Sequence, residues 1–257
     1  ISSHIYYVSD STGLQAAIDN AADDETTTII CAPGTYDDVI SFRGKDITVK
    51  AQYPAYRNGE KEEDESKLSR FTGTFNTSEG TTDDAFRAEQ TVVIEGFAFS
   101  GNGLKVGNNN YNTVGNLEVR NCTMEFGENL ATGNVKPYNQ YNYFVKLNGN
   151  KGTPYAAVTV ENNYISGEPA QTPFAITPIQ LWDVKNVVVR NNVINLQNAG
   201  GSQAINISKM AENAHVTISE NTITGAGAGG IYVTTWMLGT NCENGKTEFT
   251  GVIDIRD

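Results

Sequence analysis

The stretch "VTVENNYI" (158–165) decides the fold, because close copies of it recur at a fixed spacing. It returns as "VVVRNNVI" (187–194) and as "VTISENTI" (216–223), 29 residues apart each time. Three earlier copies are "ITVKAQYP" (47–54), "VVIEGFAF" (92–99) and "LEVRNCTM" (117–124). The first position is always Ile, Val or Leu, the third is always Val or Ile, and the eighth is usually bulky and apolar. This alternation predicts a β-strand with one buried face.

A second apolar strand lies between consecutive copies. Its examples are "FVKLN" (144–148), "PIQLW" (178–182), "AINIS" (204–208) and "GIYVT" (230–234), which begin 34, 26 and 26 residues apart. A repeat of about 25–30 residues, with short strands and Asn/Gly turns but no helix, is typical of stacked parallel β coils. Each coil would pair with the previous one at a spacing of about 4.8 Å. The predicted fold class is therefore all-β, a parallel β-helix that residues 1–257 form as one domain.

The sixth position of the repeat supports stacking. Asn163, Asn192 and Asn221 occupy it in three successive coils, where their amides could bond one another along the axis at a sharp turn. Cys122 fills the same position one coil earlier, so we expect it to be a buried structural residue.

The two ends of the chain read differently. "DSTGLQAAIDNAA" (10–22) predicts a short amphipathic helix with Leu14, Ala17, Ile18 and Ala21 on one face. Such a helix would cover the open end of the first coil, which "TTIICAPGTYDDVISF" (27–42) supplies. At the other end "GVIDIRD" (251–257) breaks off within the repeat. We expect either that further chain follows or that another element protects that edge.

Composition limits the partners. Thirty acidic residues against 18 basic ones give a net charge of −12, which disfavours nucleic acid because phosphate binding needs a cationic face. An anionic partner would need a local basic site or a bridging cation. Cys31, Cys122 and Cys242 lack metal-site spacing, and we expect buried or free thiols. No apolar run is long enough for a membrane span, and no signal peptide is evident.

A family resemblance rests on the opening of the chain. The order "LQAAIDNA" (14–21), "TIICAPGTY" (28–36) and "ITVKA" (47–51), followed by the V-x-I-x-N-N-x-I repeats, resembles the pectate-lyase-like superfamily. Within it, the opening looks most like the polysaccharide lyases that include alginate lyase and chondroitinase B. The resemblance implies a single-stranded, right-handed parallel β-helix that is secreted or on a bacterial cell surface. It does not fix the reaction, because hydrolases, epimerases and non-catalytic surface proteins share these features.

Outward-facing positions carry no core packing and are where function should be sought. The position after the second core residue alternates in charge down the stack, which predicts a structural ladder of ion pairs. Its members are Lys50, Glu95, Arg120, Glu161, Arg190 and Ser219.

The second strand predicts two different outward columns, which mix amides, hydroxyls, a lysine and aromatic rings. They are Lys146, Gln180, Asn206 and Tyr232, and beside them Asn148, Trp182, Ser208 and Thr234. Amides pair with sugar hydroxyls and aromatic faces stack on sugar rings, so a carbohydrate-binding strip is one interpretation. An ordinary solvated sheet face is the other. The long segment 127–143, with Tyr138, Tyr141 and Tyr143, leads into Lys146 and favours the first.

Lyase chemistry needs a base for the proton next to a uronic carboxylate, a group that neutralises the carboxylate, and a proton donor. The resemblance implies a lysine and an arginine on neighbouring coils beside a cation site. Lys146 in "FVKLNGN" (144–150) matches the lysine and is the candidate base. Where the family carries its arginine, this chain has "IQLWDV" (179–184), which lacks one. Tyr232 is a weaker catalytic candidate, and Tyr143 and Lys185 are candidate carboxylate-binding or acid groups.

Other chemistries find less support. A glycosidase would need facing carboxylates, and only Asp183 and Glu168 are placed near the strip. His4 and His215 support neither a triad nor a zinc site, and His215 is read as a surface residue. Calcium would find oxygen ligands, although no calcium-binding repeat occurs. The acidic run "GEKEEDES" (59–66) reads as a solvated loop inserted between coils.

Two functional hypotheses remain open. The first is a uronate polysaccharide lyase with Lys146 as base. The second is a non-catalytic carbohydrate-binding module or an adhesive stalk of a surface protein. In both, the partner is an acidic or neutral polysaccharide, the substrate-binding set is Gln180, Trp182, Asn206, Asn148, Tyr143 and Lys185, and the protein is a monomer or part of a larger surface protein.

Overall fold

The structure, a computed structural model, shows an all-β chain built mainly from three parallel sheets. It describes residues 3–77, 90–107, 115–127, 142–148, 155–167, 176–182, 184–199, 203–208, 210–211, 213–234 and 249–257. Within these ranges there is one α-helix, Ser11–Asn20, and one short 3₁₀ helix, Glu65–Lys67. No helix in the described ranges is long and apolar enough to cross a membrane.

The three sheets have nine, seven and seven strands within the described ranges. Sheet A comprises Ser3–Val8, Thr26–Cys31, Ile47–Ala51, Thr91–Glu95, Asn116–Arg120, Tyr155–Glu161, Val184–Arg190, His215–Ser219 and Val252–Arg256. Sheet B comprises Gly34–Tyr36, Ser69–Phe71, Ala98–Ser100, Thr123–Phe126, Tyr164–Gly167, Val193–Ala199 and Thr222–Ala226. Sheet C comprises Val39–Ser41, Thr74–Asn76, Leu104–Gly107, Tyr143–Asn148, Ile179–Trp182, Gln203–Ser208 and Gly229–Thr234. A separate two-stranded antiparallel ribbon joins Tyr56–Arg57 to Glu60–Lys61.

The strands of each sheet follow one another in chain order, and every neighbouring pair in the three sheets is parallel. The chain therefore passes from sheet A to sheet B to sheet C and back to A, adding one strand to each sheet per coil. This is the strand order of a parallel β-helix, and it agrees with the predicted fold class.

The repeated eight-residue phrase differs from its prediction in one respect. It was interpreted as one strand, but it spans the end of a sheet A strand, a corner and the start of a sheet B strand. In the copy at 158–165, the sheet A strand ends at Glu161 and the sheet B strand begins at Tyr164. The chain bends because the fifth position has a left-handed backbone conformation, with φ of 54° at Asn162 and 53° at Asn191. Asn adopts this conformation more readily than most residues, which explains the repeated "NN".

The predicted asparagine ladder is confirmed at the next position. The Asn163 side-chain Nδ2 donates to Asn192 Oδ1 at 3.0 Å, and Asn192 Nδ2 donates to Asn221 Oδ1 at 2.9 Å. The backbone N–H groups of Cys122, Asn163 and Asn192 each donate to the Asn Oδ1 of the following coil. The side-chain Nδ2 groups of Asn163, Asn192 and Asn221 also donate to main-chain carbonyls of the preceding coil. The three side chains therefore join the coils along the axis.

The outer face of sheet A carries the predicted charge ladder. Strand register pairs Lys50 with Glu95, Glu95 with Arg120, Arg120 with Glu161 and Glu161 with Arg190. The Arg120 Nε lies 3.1 Å from Glu95 Oε2, and Arg190 Nε lies 2.7 Å from Glu161 Oε2. These side chains are partly solvated, so each pair stabilises by about 1 kcal/mol or less.

The N-terminal helix closes the first coil as the sequence predicts. Asp10 caps it by accepting a hydrogen bond from the Gly13 N–H at 2.7 Å. The predicted face is buried, with Leu14 and Ile18 fully enclosed. The Gln15 amide accepts from the Ser41 N–H at 2.8 Å and donates to the Ser41 carbonyl at 3.0 Å. This side chain therefore satisfies the first strand of sheet C as a neighbouring strand would.

One strand and the packing of one insertion were not predicted. Ser3–Val8 extends sheet A below the first coil. The acidic run 59–66 was predicted to be a solvated loop, and its residues are exposed apart from the half-buried Glu62. The insertion 52–68 that contains this run also packs on the outer face of sheet B, with Ala55 and Leu68 buried against Ala98. Its tip has φ of 54° at Asn58 and 83° at Gly59, the backbone of a two-residue hairpin turn that favours Asn-Gly. Most of its charged side chains do face solvent.

Both described cysteines are buried free thiols, as predicted, and Cys242 lies outside the described residues. Burial raises the pKa of both the Cys31 and the Cys122 thiol to about 12, from a usual value of 9.0. Below pH 9 the thiols are protonated in both the folded and the unfolded chain, so their contribution to the free energy of unfolding is fully present. Between pH 9 and 12 the unfolded chain loses protons that the folded chain keeps, so stability falls.

We therefore expect the free energy of unfolding to drop above pH 9 by up to about 1.4 kcal/mol per pH unit for each thiol. Urea unfolding at pH 8 and pH 10 measures this. The double variant Cys31→Ala/Cys122→Ala should have a shallower pH dependence, although burial also raises the pKa of Tyr36 and leaves a residual slope. An identical slope in the double variant would contradict the assignment.

Candidate functional site

The predicted strip lies on sheet C, where register aligns its residues. Lys146 pairs with Gln180, Gln180 with Asn206, and Asn206 with Tyr232. The second column is aligned in the same way, through Asn148, Trp182, Ser208 and Thr234. Val145 and Leu147 are buried, whereas Lys146 between them is partly exposed. The side of the strand that carries Lys146 therefore faces outward.

Accessibility is uneven along the first column. Tyr232 is 42% exposed and Lys146 and Asn206 are partly exposed, but Gln180 is only 7% exposed. Ser208 in the second column is also buried, while Trp182 and Thr234 are partly exposed. Lys146, Asn206 and Tyr232 therefore present the main accessible groups of this column, whereas Gln180 is buried.

Lys146 has two features that distinguish it from a solvated surface lysine. Its Nζ lies 4.6 Å from the centroid of the Tyr143 ring, close enough for a cation–π contact. Partial burial also lowers its pKa from the usual 10.5, because removing an ammonium from water disfavours its charged form. Tyr143, the first residue of the same strand, is itself buried. The neighbouring position on the preceding coil is Gly107, whose lack of a side chain allows the Lys146 main chain to approach closely.

The middle of the strip is a hydrogen-bonded group of polar side chains. The Asn206 Nδ2 donates to Gln203 Oε1 at 2.6 Å, and the Ser208 hydroxyl donates to Asn206 Oδ1 at 2.7 Å. These bonds hold the Asn206 amide in one orientation on the outer face. A fixed amide loses less side-chain freedom when it binds a ligand than a mobile one does.

Other predicted residues lie elsewhere or are not described. Lys185 belongs to the sheet A strand Val184–Arg190 and is exposed there, around the corner from the strip. The Asn148 backbone is paired as stated above, but its side chain lies outside the described part. Asp183, Glu168, Tyr138 and Tyr141 also lie outside the described residues.

The remaining chemical alternatives gain no geometric support within the described ranges. His4 and His215 are both exposed in sheet A strands, and His4 contacts the Tyr6 ring at a centroid distance of 4.4 Å. No group of three or more His, Cys, Asp or Glu side chains there is arranged to hold a metal ion.

Comparison with known proteins adds no assignment. No family model matches the chain, and a search of curated proteins finds no similar sequence.

Sequence reasoning missed the role of Gly107 and the packing of the insertion 52–68 on sheet B. Gly107 has φ of 136°, and a side chain on it would meet the Lys146 main chain. The "VG" at 106–107 continues the apolar alternation of its strand, but a lone glycine gives no sign of its neighbour. The insertion did have a signal, because Asn58-Gly59 is a strong two-residue hairpin turn.

Proposed function

We propose that the outer face of sheet C binds a polysaccharide chain, which runs along the axis of the coils. The observation that supports this most is the register of Lys146, Gln180, Asn206 and Tyr232. Three strand spacings of about 4.8 Å separate the first from the last, so the strip is roughly 14 Å long. A cation over a tyrosine ring at one end, a fixed amide in the middle and an exposed ring at the other end would contact successive sugars.

The charge of the chain bears on the class of polymer. The net charge of −12 disfavours a polyanion over most of the surface. Lys146 supplies a local cation, which suits a uronate carboxylate at that end of the strip. We also propose that the coils wind as a single-stranded right-handed β-helix and that the protein is secreted or on the cell surface. The basis is the resemblance of its opening and repeats to the pectate-lyase-like superfamily.

Catalysis by β-elimination is the second candidate, and the lowered pKa of Lys146 favours it. A lysine with a lowered pKa has a larger neutral fraction at moderate pH, and only the neutral amine can take the proton. Tyr143 lies next to Lys146, whereas Tyr232 is three strands away. Tyr143 is therefore the better proton donor of the two, and Tyr232 serves a sugar further along. The paired position on the next coil holds Gln180, so the mechanism would lack the second cation.

Binding is tested by retardation in affinity gels that contain alginate, pectate, chondroitin or a neutral glucan. We expect Lys146→Ala to weaken binding to the preferred acidic polymer by about tenfold or more, because a charge-assisted hydrogen bond is lost. Lys50→Ala is the matched control, because it removes the same charge from the outer face of sheet A and should leave binding unchanged. Equal losses in the two variants would refute the strip.

The pH dependence separates binding from catalysis. Binding of a uronate by charged Lys146 should weaken as pH rises through the lowered pKa, earlier than an ordinary lysine would allow. Elimination with neutral Lys146 as base should instead accelerate over the same interval. Ultraviolet absorbance of the unsaturated product follows the reaction, and Lys146→Ala should abolish it. Retention without product at any pH supports the binding module.

A further inference from the structure

The insertion 52–68 forms a wall above the outer face of sheet B, on a different side of the molecule from the strip. Its backbone crosses the coils, since the Ala55 N–H donates to the Gly96 carbonyl at 2.8 Å and the Tyr56 N–H to the Asn121 carbonyl at 3.1 Å. The Glu62 N–H returns a bond to the Ala55 carbonyl at 2.9 Å, which closes the hairpin. These hydrogen bonds connect the wall to two further coils and position it over sheet B.

A cavity of about 140 Å³ lies between this wall and the sheet. It holds several waters but is smaller than the roughly 300 Å³ of the smallest drug-sized pockets, so it suits one small polar ligand. The sheet contributes the hydroxyls of Ser100, Thr123 and Ser166 to its lining. The Tyr164 ring lines it as well, and Tyr56 packs beside that ring at a centroid distance of 5.8 Å.

The charges around the cavity favour a cation. Four carboxylates line it, those of Glu62, Glu63, Glu65 and Glu125. Two of them have cationic partners, because Glu65 forms an ion pair with Arg70 and the Glu62 Oε2 lies 3.8 Å from the Lys67 Nζ. Glu63 and Glu125 supply the remaining negative charge. The Lys61 Nζ lies 4.8 Å from the centroid of the Tyr164 ring. All residues that line the cavity are described, and Tyr164 is the only tyrosine among them. The ammonium of Lys61 thus already occupies a face of that ring.

We infer that this cavity is a binding site for a protonated amino sugar, with the Lys61 ammonium as an internal occupant that the ligand displaces. The ligand ammonium takes the place of Lys61 Nζ over the Tyr164 ring and among the carboxylates. The hydroxyls of the sugar ring form hydrogen bonds with Ser100, Thr123 and Ser166. This site is independent of the strip on sheet C, because the two lie on different sheets.

The displacement makes an unusual prediction for Lys61→Ala, namely a gain of affinity. An exposed cation–π contact is worth about 0.5–1 kcal/mol, so its removal should tighten glucosamine binding by roughly two- to fivefold. Ligand-observed NMR titration of glucosamine at mildly acidic pH measures this. Arg57→Ala is the matched control, because Arg57 carries the same charge on the same insertion, is exposed and does not line the cavity. It should leave the affinity near that of the unmodified protein.

Two further comparisons test the chemistry. Tyr164→Leu should abolish glucosamine binding, whereas Tyr164→Phe keeps the aromatic face and should retain it. N-acetylglucosamine lacks the charge and methylammonium lacks the ring, so both should bind at least tenfold more weakly than glucosamine. The inference is overturned if Lys61→Ala does not bind glucosamine more tightly than Arg57→Ala does, or if either analogue binds as well as glucosamine. Asn206→Ala on sheet C should change none of these results, so failure here leaves the strip untouched.

Discussion

Asn192→Ala should be among the most destabilising substitutions in the described chain, at a cost of roughly 3–5 kcal/mol. The Asn192 side chain is fully buried and takes part in four hydrogen bonds. It accepts from the backbone and side chain of Asn163, and it donates to the Val160 carbonyl and to Asn221 Oδ1. Alanine leaves polar groups on the two adjacent coils without these partners, which costs more than the net value of the bonds themselves.

Urea unfolding followed by circular dichroism measures the loss, and melting should fall by roughly 10 °C. Asn195→Ala is the matched control, because it removes the same amide three residues further along the chain, on the outer face of sheet B. Asn195 is only half-buried, and its Oδ1 accepts one bond from the Gln197 N–H. We expect the control to lose less than about 1 kcal/mol. If the two variants unfold at the same urea concentration, the ladder does not stabilise the stack.

Gly107→Ala should be comparably damaging and should also disturb the strip. A Cβ built on Gly107 falls 1.7 Å from the Lys146 carbonyl oxygen, and the backbone φ of 136° is one that side chains rarely adopt. The neighbouring atom is main chain in a paired strand, so the two coils must separate locally. We expect a loss of roughly 3 kcal/mol or more, together with weaker polysaccharide binding, because the strand that carries Lys146 shifts.

Gly103→Ala provides the comparison within the same coil. Gly103 has φ of 83°, but nothing lies within 4 Å of its built Cβ. It should therefore incur only the backbone penalty of about 1–2 kcal/mol and should keep the binding strip intact. Denaturation and affinity gels on the two variants separate the conformational cost from the contact with Lys146. Similar losses of stability and of binding in both would show that the close approach of the coils is unimportant.

The repeat and the lid were predictable because each rests on short-range chemistry. Alternating Val and Ile residues report a buried strand face, and the spacing of 29 residues reports the coil. The helix 10–22 was predicted to within two residues because Asp10 and the apolar stripe are local signals. The positions of Lys146, Gln180, Asn206 and Tyr232 in one column followed from the second strand, which recurs at steps of 34, 26 and 26 residues.

The number of sheets and the depth of each side chain were not predictable in this way. The corner inside the phrase depends on a single backbone angle at positions such as Asn162, and the hydrophobic pattern continues through it unchanged. Gln180 and Asn206 both carry a side-chain amide, yet Gln180 is buried and Asn206 is partly exposed. Exposure depends on which other segments of the protein pack nearby, and the local sequence does not contain that information. The strand Ser3–Val8 has weak alternation, and its pairing with Thr26–Cys31 is a tertiary contact.

The corner between sheets A and B has a consequence for engineering. Where Asn163, Asn192 or Asn221 occupies it, two residues join the strands, and the side-chain amide ties that corner to the adjacent turns. In the second coil Gln52 stands there instead, and the insertion 52–68 leaves the scaffold at that point. Grafted loops should thus be accepted at corners that lack the amide, while lengthening a corner that has one would break contacts on either side of it.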